Sequence, residues 1–272
     1  MRVLFAAALA LATAITLVFL ALPIAALFLR VGPGELVSSL GSPVARDAIV
    51  VSLKTNLIAE ALIVVLGTPA AYLLARRRFR GRALVLTIVE LPLVLPPAVG
   101  GIALFAAFGR TGLVGDELHA LGLTIPFTQT AVVFAVTFVA APFYVRPAVA
   151  AFESLDQSLL EAARTLGAGT ARVFACVALP LASGGLSAAA AVAFARGLGE
   201  FGATIMFAGS LQGVTQTLPL AIYAEFARDF HLALALGALL VVISFAILLS
   251  VKLVPSWTRY ALTFPFRSAT ST

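Results

Sequence analysis

Residues 3–29 run for 27 positions without a charged side chain. Five further stretches of similar character follow, at 48–75, 83–108, 126–151, 179–208 and 232–254. A helix needs about 20 apolar residues to cross the hydrocarbon layer of a bilayer, and every stretch meets that length. Hydrocarbon offers backbone N–H and C=O groups no water, so a chain built this way must satisfy them within helices. The expectation is an all-α polytopic membrane protein of six transmembrane helices. Only 11% of the residues are charged, against about 25% in soluble domains. No aqueous domain of useful size is left between the runs, and 1–272 reads as a single transmembrane domain. The first run is longer than the roughly 7–15-residue core of a signal peptide, and Arg30 follows it without a small-residue cleavage site, so it reads as a retained span.

The basic residues set an orientation. With the N-terminus inside, Arg2, Arg76, Arg77, Arg78, Arg80, Arg82, Arg146, Arg164, Arg172, Lys252, Arg259 and Arg267 fall on the inner side, twelve in all. Arg30, Arg46, Lys54, Arg110 and Arg228 fall outside, which is five. The imbalance puts both termini in the cytoplasm. The RRRFRGR cluster at 76–82 reads first as this topology signal, with contact to acidic lipid as a second use. The net charge of +6 then calls for no nucleic acid. Cys176 has no second cysteine to pair with, which removes disulfides and thiolate metal sites. His119 and His231 stand apart from other ligand-type residues and are given no role.

Polar groups inside the apolar runs are costly and should face a cavity or a partner. Asn56 and Glu60 lie four apart on the second run. Arg196 and Glu200 lie four apart on the fifth, close enough for an ion pair. Glu90 is a third acid at depth. These groups are either packing contacts between helices or the border of a passage. Pro92, Pro96, Pro97, Gly100 and Gly101 mark a bend in the third run, either a static kink or an unwound segment at a gate. After Glu200, hydroxyl and amide groups gather at Thr204, Ser210, Gln212, Thr215, Gln216 and Thr217. Neutral donors of this kind hold an oxyanion without a permanent countercharge and so allow release. A polar outer loop that docks a partner accounts for 209–217 as well.

The loop 152–178 lies between the fourth and fifth runs. Ser154 with Gln157 fits a capping box, and Asp156 suits a first turn. Leu155, Leu159, Ala162, Ala163 and Leu166 share one side of the helix that follows, with Glu161 and Arg164 off it. Gly167 is placed to end the helix in a left-handed cap, and Thr170 to cap a second turn before Pro180. A short helix with one apolar face, between spans, rests on lipid headgroups or on a partner protein. Its few cations, Arg164 and Arg172, favour a partner.

Glu161-Ala162-Ala163, Gly167, Val177 and Leu179-Pro180 keep the spacing of the EAA loop of ABC importer permeases, with Val177 where the pattern usually has Ile. The GEFGATIMFAG segment beginning at Gly199, and the TQTLPLAIY segment beginning at Thr215, resemble the permeases of molybdate ABC importers, and the similarity spans about 45–254. That resemblance implies a type I (MetI-like) importer fold working as a homodimer. It implies two copies of a cytoplasmic ATPase below and a periplasmic or lipid-anchored molybdate-binding protein above, in the cytoplasmic membrane of a bacterium or archaeon. It assigns Leu155, Leu159, Glu161, Ala162, Ala163, Gly167 and Pro180 to ATPase coupling. Arg196, Glu200, Thr204, Thr215, Gln216, Thr217 and Pro96 are the candidates for passage and gate. The chain has no GxxxxGK[ST] phosphate loop and no nucleophile–base pair. The reading is therefore a passive, non-enzymatic subunit that binds no cofactor itself, with ATP and magnesium on the ATPase. The alternatives are a sulfate, thiosulfate or tungstate permease, and an ATP-independent secondary carrier. The carrier is disfavoured because no internal repeat is evident.

Overall fold

The computed structural model describes residues 2–253, all helices and the turns that join them. In chain order the helices are α1 (Arg2–Arg30), α2 (Pro33–Leu40), α3 (Pro43–Arg76), α4 (Arg82–Val94) and α5 (Pro97–Phe108). Next come α6 (Gly115–Ala120), α7 (Gln129–Glu153), α8 (Gln157–Thr165) and α9 (Thr170–Val173). The last four are α10 (Leu179–Leu198), α11 (Gly202–Ala208), α12 (Leu218–Phe226) and α13 (Phe230–Leu253). Among the described residues five helices are long and apolar enough to cross a membrane, and α4 with α5 makes a sixth crossing if the bent pair counts as one. Val254, at the end of the last apolar run, and Arg259 and Arg267 of the orientation count lie outside the described residues.

Two of the six apolar runs are not single helices. The third breaks after Val94, and α5 leaves at 117° to α4. The cause is the Pro96-Pro97 pair. Neither residue can donate an N–H, and Leu95 and Pro96 are pushed to extended ψ values of 133° and 130°. Pro97 then restarts the helix in its first turn, where a missing N–H costs nothing. The fifth run breaks at Gly199–Phe201. There Glu200 turns its carboxylate onto the new helix and accepts the N–H of Ala203 at 2.8 Å. Two of the stretches between the apolar runs are also helical in part. Residues 30–47 hold α2, and 209–231 hold α12, whose Leu218, Leu220 and Ala221 are buried.

The core is arranged around α7. Of its most apolar stretch 61% is buried, against 22% for α13 and none for α1, so α7 is the central post and α1 the peripheral one. Helix α7 packs between α3 and α10 and buries Tyr144, Val149 and Phe152. Polar groups set the register of these contacts. The hydroxyls of Thr68 on α3 and Tyr144 on α7 lie 2.6 Å apart. Asn56 donates from α3 to the Phe194 carbonyl of α10 at 3.0 Å. Ser52 accepts the Leu218 N–H at the head of α12 at 2.7 Å. Arg146 of α7 pairs with Glu90 of α4 at 2.6 Å. In surroundings without water such bonds specify which helix faces are allowed to meet.

Candidate coupling helix and passage

Helix α8 stands on the end of α7. Its cap differs from the expected capping box. Ser154 closes α7 instead and donates its hydroxyl to the Ala151 carbonyl at 2.9 Å. Asp156 is the N-cap of α8 and accepts the Ser158 N–H at 2.9 Å. That backbone hydrogen bond holds the Asp156 carboxyl below the ordinary carboxylate range. At its other end α8 stops in a Schellman turn. Gly167 sits at φ +87°, its N–H reaches the Arg164 carbonyl at 2.9 Å, and the Ala168 N–H reaches Ala163 at 3.0 Å. Gly169, rather than Thr170, occupies the N-cap position of α9, and Thr170 makes no side-chain cap.

The apolar side of α8 is divided rather than uniform. Leu160, off the expected face, is 1% exposed and is sunk into the core formed by α3, α7 and α10. Leu155 and Ala163 pack beside it. Leu159 and Leu166 are 48% and 89% exposed, and Ala162 and Glu161 are exposed with them. One side therefore anchors the helix to its own bundle, and the other offers apolar surface to something else.

Two further contacts tie this region to the bundle, and both were missed from the sequence. Arg76, at the foot of α3, donates to the Gln157 side-chain carbonyl at 3.1 Å and to the Leu155 carbonyl at 3.4 Å. Phe174, on the returning arm, packs on Tyr72 of α3 with ring centroids 4.8 Å apart, and Tyr72 packs on Phe152 of α7 at 5.2 Å. Phe174–Ala178 is a π-helical turn in which the Leu179 N–H reaches back to the Phe174 carbonyl. It precedes Pro180, which lies exposed in the first turn of α10. Nothing in the spacing announces these contacts, since Tyr72, Arg76 and Phe174 look like ordinary span-end residues.

The passage candidates fall into two groups. Arg196 closes on Glu200 at 2.8 Å, and the carboxylate side chain is 1% exposed against 29% for the arginine. The guanidinium also lies over the Phe143 ring of α7, 5.8 Å from its centroid. Gly202, two residues on, lies against Pro97, so the corner made by Pro96 and Pro97 meets the start of α11. Thr204 on α11 is buried, and its hydroxyl has no hydrogen-bond partner. Around Thr217 a crevice too tight for water is lined by Ser52, Thr55, Asn56, Val136, Gly197 and Leu198. The Thr217 hydroxyl is buried there and unpartnered. Thr215 and Gln216 serve their own turn instead. Thr215 accepts the Leu211 N–H at 3.0 Å, and Gln216 bonds Ser210 at 3.3 Å. Asn56 and Glu60 do not pair with each other: Asn56 crosses to α10, and one Glu60 oxygen is buried without a partner. Among the described residues no group of His, Cys, Asp or Glu is placed to hold a metal.

Comparison with known proteins gives one pattern. Residues 63–260 match the family described as binding-protein-dependent transport system inner membrane component. The chain is 44% identical over 235 residues to the molybdenum transport system permease protein ModB of Mycobacterium bovis, covering 86% of this chain and 89% of that one. It is 42% identical over 178 residues to ModB of Escherichia coli K12, covering 65% and 78%. Among solved structures it matches a chain of a bacterial alginate ABC transporter in complex with an alginate-bound periplasmic protein. The TM-score is 0.70 at 19% identity, over 90% of this chain and 91% of that one. A chain of the inward-facing MetNI methionine ABC transporter matches with a TM-score of 0.60 at 22% identity, over 77% and 93%. At those identities the structural likeness is one of fold: the all-helical fold of ABC importer permeases.

Proposed function

The chain belongs to the family of inner-membrane components of binding-protein-dependent transport systems, and from that premise we propose that it is the translocating subunit of an ATP-driven molybdate importer. The observation that carries the cargo is the 44% identity, across 86% of the chain, to a permease named for molybdenum transport. The geometry of α8 supports the coupling. Leu159, Ala162 and Leu166 face outward for an ATPase, while Leu160 and Arg76 bind the same helix to the spans and the Tyr72–Phe152–Phe174 stack binds the arm that follows it. A push on α8 is then delivered to α3 and α7 rather than absorbed in a loose loop. The working unit is two copies of this chain with two ATPase subunits inside and a molybdate-binding protein outside, both termini being cytoplasmic. ATP and magnesium are held by the ATPase.

In the passage, Arg196 cancels the charge that Glu200 would otherwise set against an anion. The unpaired hydroxyls of Thr204 and Thr217 supply neutral donors when the helices part. The test is uptake into proteoliposomes holding the permease, its ATPase and its binding protein. Molybdate should accumulate only with internal ATP, with tungstate competing better than sulfate. Accumulation without ATP would make the chain a carrier, and saturable sulfate uptake in place of molybdate would overturn the cargo.

A further inference from the structure

The coupling contacts and the passage leave one polar feature unused. A cleft of about 650 Å³ opens at the foot of α3, lined by Ala75, Arg76, Arg78, Arg82, Glu153 and Gln157. Three guanidiniums face a single carboxylate there. Two are held in place by the chain. Arg82 donates to the Leu74 carbonyl at 2.7 Å and pairs with Glu153, and Arg76 donates to Gln157. Yet the Nε of Arg76 is buried with no partner, and Arg78 has no carboxylate partner among the described residues. A buried donor without an acceptor is costly, and a turn of the Arg76 side chain toward the cleft lets an entering oxygen satisfy it. Fixed guanidiniums suit a tetrahedral oxyanion, which they bind through paired N–H donors.

The surroundings say where that anion comes from. Phe79, in the turn that closes the cleft, is exposed, as are Leu84, Ile88 and Leu91 along α4, which starts at Arg82. Arginines gathered at the start of an apolar helix mark the end of a span, and basic pockets at that level on the cytoplasmic side take anionic headgroups. We propose that this cleft binds the phosphate of an anionic phospholipid, whose acyl chains run down the exposed side of α4. The headgroup fills the open donor of Arg76, holds that side chain on Gln157, and so fixes the first turn of α8.

The experiment uses the full chain in nanodiscs of phosphatidylcholine, alone or with phosphatidylglycerol. Native mass spectrometry counts the lipid retained, and hydrogen exchange is followed at 155–165. The chain should keep one phosphatidylglycerol and exchange more slowly at 155–165 only when that lipid is present. Arg78→Gln, which disturbs none of the contacts named above, should lower retention about five-fold, the worth of one basic residue at an anionic surface. Arg80→Gln, next in the turn but outside the cleft, should retain lipid as the parent does. The proposal falls if phosphatidylglycerol is kept no better than phosphatidylcholine, or if Arg78→Gln keeps it as well as the parent. Equal loss from Arg80→Gln would reduce the site to general charge and also overturn it. So would slowed exchange from millimolar inorganic phosphate in discs of phosphatidylcholine alone, because the occupant would then be a soluble anion. None of these readouts uses molybdate, so their failure leaves the cargo assignment where it stands.

Discussion

Gly197 makes one of the closest helix contacts in the bundle. A Cβ there would collide with the Asn56 side-chain carbonyl and crowd Val136, and Asn56 is the residue that joins α3 to α10 through the Phe194 carbonyl. Gly197→Ala should therefore lower stability by about 1–3 kcal/mol, the usual cost of overpacking, read as thermal unfolding in detergent. Adding Asn56→Ala should recover part of that loss, and a double variant no better than the single would place the collision elsewhere. Arg196 makes a second residue-scale case. Arg196→Ala leaves a buried carboxylate without its cation, a change that costs about 3–5 kcal/mol in buried pairs. The double variant Arg196→Ala/Glu200→Gln keeps an acceptor for the Ala203 N–H and removes the orphaned charge, so it should be more stable than Arg196→Ala alone. Equal stability of the two would show that the pair adds nothing.

At the scale of the element, α8 has one face anchored and one exposed. Leu160→Ala should cost about 2–5 kcal/mol of anchoring and loosen the helix from the bundle, seen as faster hydrogen exchange at 157–165. Leu159→Ser and Glu161→Lys, on exposed positions, should leave that exchange unchanged yet abolish ATP-driven uptake. Normal uptake by both would remove the coupling role. Gly167 at φ +87° admits no proline, and Gly167→Pro should unwind the end of α8 while insertion into the membrane proceeds. The cap has a pH signature of definite sign. The folded Asp156 carboxyl is held below its usual value of 3.8 by the Ser158 N–H. Its contribution is thus complete above that value and disappears as pH falls through the lowered one. Neutral and alkaline media should leave the exchange rate of the Ser158 amide, corrected for its intrinsic pH dependence, flat.

For the molecule as a whole, the distribution of basic residues predicts an orientation that labelling can test. With Cys176 replaced by Ser, a cysteine at Leu166 should react with an impermeant maleimide only after the membrane is opened, and one at Leu121 should react from outside. Both positions are well exposed, at 89% and 74%. Labelling of Leu166 from outside would invert the topology and detach α8 from any cytoplasmic partner. At this scale the central position of α7 also matters. It is the most buried of the described spans, joined to α3, α4 and α10, so one packed column runs from its foot to the level of Arg196.

Much was legible in the chain itself. Apolar runs long enough to cross a bilayer dictate helices, because hydrocarbon leaves the backbone no other partner. The Glu161–Gly167 spacing shows a short helix with a left-handed end, since only glycine takes that conformation without strain. Periodicity could not say which side of α8 is anchored, because Leu159 and Leu160 are equally apolar and differ only in what lies opposite them. Nor could it find Arg76 on Gln157, Asn56 on Phe194 or Ser52 on Leu218, whose partners lie 81, 138 and 166 positions apart. The break at Pro96 was half visible, and the one at Glu200 lay inside a run read as continuous. Local residues dictate the break, but neither its 117° angle nor the packing of α5 on α11 can be read from them. Sequence fixes which segments leave water, because that is a sum over local side chains. Tertiary structure alone decides which polar groups are then left to find one another, because that depends on distance in space.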